Sequence, residues 1–354
     1  MTAIRGVTWC TAIGAIVWLA GCAAAPTELR YETVAEGPTP VWPAPPDAAR
    51  FRYIGQLTGE ENIHGAKEEG FGRRVFGWLV GLVAGRHAPV VLQRPQSGFV
   101  DEAGRIYVTD VSRGAVYVFD EPAGALRVWE WADGTTRFKT PVGITAGPDG
   151  TILVADADLR RVYRLAPDGE PRGSFGGADL KRPTGLARDA RRGRVFVADT
   201  HAQDIKVYDD NGKLLNTMGG PGIGDGQFNG PTYLSLADNR LYVTDTLNSR
   251  IQVFSEDGEF VRKFGRRGLF VGDLPRPKGV AVDREHNVYV VESYYDYLLV
   301  FNDKGEFLLP IGGTGSGIGE FYLPAGVWTD DRDRVYVADA FNGRVVIFQY
   351  LGGA

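Results

Sequence analysis

From residue 95 onward, short apolar runs alternate with turn-forming clusters, and the alternation is periodic. The runs "IYVTD", "ILVAD", "VFVAD", "LYVTD", "VYVVE" and "VYVAD" are rich in Val, Ile and Tyr and too short for helices, so they read as strands. Between runs lie "PDG", "EDG", "DNG" and "DKG", whose glycines supply the positive φ of a tight hairpin, so consecutive runs pair antiparallel. The six quoted runs end on Asp110, Asp156, Asp199, Asp245, Glu292 and Asp339. A proline precedes each acid by about fifteen residues: Pro95, Pro141, Pro183, Pro231, Pro277 and Pro324. Nine residues after each acid stands a large apolar residue: Phe119, Leu165, Tyr208, Phe254, Phe301 and Phe348. That constant spacing leaves no room for an insertion between the second and third strands of a unit.

Four short strands per unit and six units predict an all-β fold, a six-bladed β-propeller of four-stranded antiparallel blades. A solenoid would need terminal capping units, and none is visible. The sixth unit stops at "RVVIFQYLGGA", its third strand, while "ARFRYIG" (49–55) lies far upstream without a partner. The fourth and fifth units close with "EFVRKFG" and "EFLLPIG", which aligns Ile54 and Gly55 with Phe264 and Gly265. The expectation is that residues 48–59 supply the missing outer strand of the last blade and lock the ring; a free amphipathic arm is the competing reading.

The chain begins "MTAIRGVTWCTAIGAIVWLAGC", with one cation at Arg5, an apolar run shorter than the roughly 20 residues a bilayer requires, and small residues before a cysteine. This predicts a secretory signal over 1–21. Residues 22–47 carry prolines at 26, 38, 40, 43, 45 and 46 and read as an extended, unpacked tether rising ~3.1 Å per residue. In the insert 60–94, Phe71, Val75, Trp78, Leu79 and Leu82 share one face of a helix over 71–84, the one helical segment expected. The ring, a partner or a membrane interface would each suit that face. Residues 95–354 form the propeller.

Particular residues carry resemblances. "LAGC" (19–22) resembles the bacterial lipobox, which implies cleavage before Cys22 and lipidation of its sulfur. Ala23 in the next position favours the outer membrane, with the protein facing the periplasm. "GPTYLSLADNRLYVTDTLNSRIQVFSEDGEFVRKFG" and "LPAGVWTDDRDRVYVADAFNGRVVIFQYL" resemble NHL repeats, and the glycine-rich "GGPGIGDGQFNGP" and "GGTGSGIGEFYLP" match that family's linkers. Over residues 95–350 the chain is similar to bacterial NHL-repeat lipoproteins. The resemblance implies a channel mouth built from the turns at each "P-x-G" and the connections after each acid, where His201, Gln203, Asn248, Arg250, Tyr294, Tyr295, Phe341, Asn342 and Arg344 fall.

Chemistry narrows the function only partly. The six acids are expected to fix their turns by accepting backbone N–H bonds, and Arg250 and Arg344 to bridge blades. The chain has four histidines, of which only His201 reaches the expected mouth, too few for a three-ligand zinc site without carboxylates such as Asp199 and Asp245. No nucleophile elbow, CxxC or phosphate loop stands in a convincing context. A net charge of −5, becoming −6 without Arg5, argues against nucleic acid. Two readings stand: a monomeric, cofactor-free and metal-free scaffold binding an exported protein, peptide or envelope component, and a metal-assisted lyase or hydrolase acting in the channel.

Overall fold

The computed structural model describes residues 27–33, 38–65 and 89–352. The signal segment, Cys22 and the helix expected over 71–84 lie outside them. Within them, six antiparallel sheets follow one another around an axis, each running from an inner strand that begins at the repeat proline, except in the sixth blade, to an outer strand at the rim. The inner strands Pro95–Val100, Pro141–Ala146, Pro183–Asp189, Pro231–Ala237, Pro277–Val282 and Val327–Thr329 are sequential neighbours, and the last meets the first. Apart from four three-residue 3-10 turns, the described residues hold no helix.

Inner strands approach so closely that side chains are excluded at the third residue of several "P-x-G" turns. A Cβ on Gly143 would lie 2.0 Å from the Thr184 carbonyl oxygen, and one on Gly326 would lie 2.2 Å from that of Gln96. The apolar side chains instead fill six clusters, each between two adjacent blades, so the core is a ring of interfaces.

The last blade is closed by the N-terminal strand. Phe51–Leu57 pairs antiparallel with Arg344–Tyr350, with Phe51 opposite Tyr350, Tyr53 opposite Phe348 and Leu57 opposite Val345. Phe51 and Tyr53 enter the cluster between blades 5 and 6, and Leu57 the one between blades 6 and 1. The register differs from the sequence alignment by three residues. Phe264 faces Ile251 in blade 4, and the equivalent place in blade 6 belongs to Leu57, not Ile54. The pairing shifts between Ile347 and Phe348, and Gly55 takes φ +149° where a Cβ would strike the Tyr31 side chain at 2.5 Å.

The unpacked tether is also corrected. Val41–Trp42 adds a fifth strand to the sixth blade, and Trp42 meets the Phe348 ring edge-on at 5.3 Å. Glu28–Leu29 pairs with Ile63–His64. Apolar side chains at Leu29, Tyr31 and Trp42, sparse among the prolines, are sufficient to hold these segments on the blade.

Candidate functional site

Strand register decides which loops share an end of the ring. Pro95 sits opposite Asp110, Pro231 opposite Asp245 and Pro277 opposite Glu292. The proline turns and the connections after the acids therefore form one face, and the turns between inner and second strands form the other.

The acids hold the first face together. Asp110 accepts N–H bonds from Gln93 and Arg94 on the incoming linker (2.6 and 2.9 Å) and from Ser112 and Arg113 in its own loop (3.0 and 2.9 Å). Asp156 does the same with Lys139, Thr140, Asp158 and Leu159. Asp199 takes Lys181, Arg182 and Ala202. Glu292 takes Arg276, Tyr294 and Tyr295. Each carboxylate staples two loops while buried from water, so its charge is met by amide dipoles.

Blades 4 and 6 add an arginine to the staple. Arg250 Nε lies 2.8 Å from Asp245, and its other nitrogens donate to the carbonyls of Ile223, Gly224 and Gln227 in the glycine-rich linker. Arg344 binds Asp339 at 2.8 Å, the carbonyls of Gly317 and Glu320, and the Gln56 side chain of the closing strand. Asn248 and Asn342 each donate to the neighbouring acid and to a linker carbonyl. These four residues stand at the expected loops but are turned inward as fasteners. They tie their own blade to the linker that arrives from the preceding one.

The remaining expected mouth residues are partly or fully accessible. His201, Tyr294 and Phe341 are exposed, Gln203 and Tyr295 half-buried. The two tyrosines meet edge-on at 4.8 Å, and Phe341 meets Tyr322 edge-on at 5.7 Å with the Arg94 guanidinium over its ring at 5.1 Å. Beside the tyrosines, Leu247, Leu269, Phe270 and Val271 are all more than half exposed, as is Ile223 in the linker before blade 4. The linker "RRGLFVGDL" (266–274) contributes three of these, and its apolar run without a strand partner was the signal for an exposed patch. No turn between inner and second strands exposes a large apolar side chain among the described residues.

The channel is blocked. Tyr233 occupies the glycine place of its "P-x-G" turn, and its hydroxyl reaches from blade 4 to donate to the Gln96 carbonyl of blade 1 at 3.0 Å. Burial pushes this phenol well above its usual range. The proline-turn face is therefore floored. Above that floor Lys278 stands in the middle of its own turn, and burial followed by repulsion from Arg276 and Arg94 depresses its ammonium. No carboxylate lies within ion-pair distance of Lys278, Arg276 or Arg94 among the described residues. A lysine whose folded pKa is lowered destabilises the fold fully below that value, and the penalty disappears as pH rises from it toward the ordinary 10.5. Lys278→Met is expected to raise Tm at pH 7 by a few degrees, on the order of 1 kcal/mol, with the gain shrinking toward pH 10. Calorimetry at both pH values checks it, and a lowered Tm at pH 7 would contradict it.

The opposite end holds a cavity of about 330 Å³. Three of its acids are engaged internally: Asp101 with Arg105 and Tyr107, Asp283 with Asn287 and Tyr289, Asp330 with Arg334 and Tyr336. His286 pairs with Asp238 at 2.6 Å at the same end. Among the described residues no three His, Cys, Asp or Glu side chains gather as a metal site requires.

A family model described as "6-bladed beta-propeller" matches residues 227–287 and 276–353, the fourth to sixth blades. No curated protein matches the chain. Among solved structures, an auxiliary nutrient binding protein from Bacteroides thetaiotaomicron VPI-5482 is similar with a TM-score of 0.58 at 12% identity, over 74% of this chain and 70% of that one. A virginiamycin B lyase from Staphylococcus aureus is similar with a TM-score of 0.54 at 15% identity, over 73% of this chain and 96% of that one. At such identities the likeness is one of fold. The chain is a six-bladed β-propeller.

Proposed function

We propose that this chain is a membrane-tethered, non-catalytic binding scaffold of the NHL-repeat lipoprotein kind, presenting its proline-turn face to an exported protein, peptide or envelope component. Lipidated Cys22 holds it on the outer membrane facing the periplasm, as a monomer. One observation carries the reading: large exposed apolar side chains from blades 4 to 6 gather on that face, over a floor that closes the channel. A patch of this kind on a soluble ring marks an interaction surface. The nutrient-binding propellers of similar fold lend a general precedent for binding.

The metal-assisted reading draws little from the same residues. Asp199 spends its oxygens on backbone N–H groups, and Asp245 is taken by Asn229, Asn248, Arg250 and Gln252, so neither of these two acids is free to share a metal with His201.

In native cells, Phe270→Ser combined with Tyr294→Ser is expected to reduce co-purification of the partner at least tenfold while leaving Tm within about 3 °C, because both side chains are exposed. Undiminished recovery would move the binding surface elsewhere. Cys22→Ser should transfer the protein from the membrane fraction to the soluble fraction, and continued sedimentation would refute the lipid tether.

A further inference from the structure

Between blades 4 and 5 the proline-turn face opens into a cleft of about 550 Å³. Its apolar walls are Leu247, Leu269, Tyr294 and Tyr295, and two cations, Arg267 and Arg276, line it with them. Arg276 is held in place: Nε donates to the Ser293 hydroxyl at 3.1 Å and Nη2 to the Ser293 carbonyl at 2.6 Å. Its Nη1 has no protein acceptor among the described residues, and neither arginine is ion-paired there. Lys278 follows two residues later, in the strand Pro277–Val282 that Arg276 leads into, half-buried and equally without a direct ion pair. Glu292 lies close enough to attract Arg276 but spends its oxygens on backbone N–H groups, so the guanidinium keeps donors free of any direct ion pair, and this corner of the face is arranged for an anion that arrives from outside.

We propose that the cleft captures the C-terminal carboxylate and last apolar side chain of a peptide or protein. This inference rests on the binding-face reading and specifies what the face takes. A guanidinium anchored on one side offers its free N–H groups to a carboxylate in a fixed geometry, which a flexible ammonium does not. Two tyrosines and two leucines form a wall for one large side chain, and the cavity is of the size that holds a side chain with its terminal main chain. Phe270 and Val271 on the rim, both exposed, extend the apolar surface to preceding residues of an extended ligand. A long fatty acyl chain fits poorly, because the cleft opens on solvent and would leave most of its length in water.

The test uses the full chain and a fluorescent hexapeptide ending in phenylalanine, as the free acid and as the amide, followed by anisotropy at low salt. The free acid is expected to bind at least tenfold more tightly than the amide. Arg276→Gln should erase that difference, and Arg276→Lys should restore only part of it. Lys278→Met, which removes a neighbouring charge without touching the arginine fork, should weaken the acid severalfold. The proposal is overturned by equal binding of acid and amide, by absence of acid binding up to millimolar peptide, by an acid preference that survives Arg276→Gln, or by displacement of the peptide by octanoate at equal concentration. Failure of this kind leaves the binding-face reading intact if the Phe270→Ser, Tyr294→Ser double variant still loses its partner, and removes both if it does not.

Discussion

A chain lacking residues 48–57 is expected to lose the cooperative unfolding of a closed ring. The segment contributes Phe51, Tyr53 and Leu57 to two inter-blade clusters. Each large side chain of this kind contributes roughly 1.5–3 kcal/mol by burial, so the three together amount to about 5–10 kcal/mol, comparable with the whole stability of an ordinary domain. Deletion also strips the partner from Arg344–Tyr350, leaving an open edge beside apolar Val346 and Phe348. Thermal unfolding should show a Tm lowered by more than 10 °C, or no sharp transition. Phe51→Ala grades the effect: Phe51 packs against the rings of Tyr289 and Tyr350 at 5.9 and 5.2 Å, and its truncation should cost ~3–5 kcal/mol. A Tm within 2 °C of the parent for the deletion would mean that the strand is peripheral.

Asp339→Ala is expected to cost about 3–5 kcal/mol in denaturant unfolding, because it leaves Arg344 buried with no counter-charge and the Tyr322 N–H with no acceptor. Burial pushes the Asp339 carboxyl upward, against the pull of the Tyr322 N–H, Asn342 and Arg344. The pair therefore specifies geometry more than it adds net stability, and breaking it is the costly change. Asp339→Ala with Arg344→Met should cost less than the two single changes added together, since the double variant buries no orphaned charge. Strict additivity, or a loss under 1 kcal/mol for Asp339→Ala, would contradict this role. The consequence extends beyond the loop: Arg344 also grips Gln56, so the last blade's face and its closing strand loosen together.

These two devices were largely legible in the chain. The recurring proline, acid and large apolar residue are spaced by backbone geometry that tolerates no insertion, and the missing fourth strand of the sixth unit demanded a donor. The register of that donor was not legible. It depends on the bulge at Gly55 and on Tyr31 lying over it, a contact between segments that no local pattern connects. Leu29, Tyr31 and Trp42 were hidden in the proline-rich lead-in for the same reason, because three anchoring side chains suffice where composition suggests a free tether. At the site, the loops were found by the repeat but the direction of each side chain was not. Arg250 and Arg344 look like mouth cations until the linker carbonyls they satisfy are seen. Tyr233 and Lys278 did carry a signal, as departures from the small residues of neighbouring "P-x-G" turns, and both lie where the channel is plugged or charged. Departures from a repeat mark the places where a ring of near-identical blades becomes a particular binding surface.

The most direct measurement is a photocrosslinking scan in native cells that compares the two ends of the ring. A benzophenone amino acid at Tyr294 or Phe341 on the proline-turn face should trap one recurrent envelope component, while the same probe at Glu102 or Asp331, beside the cavity at the other end, should trap none. Crosslinks from the far end alone, or equal yields from both, would contradict the claim that this protein binds through the face formed by its stapled loops.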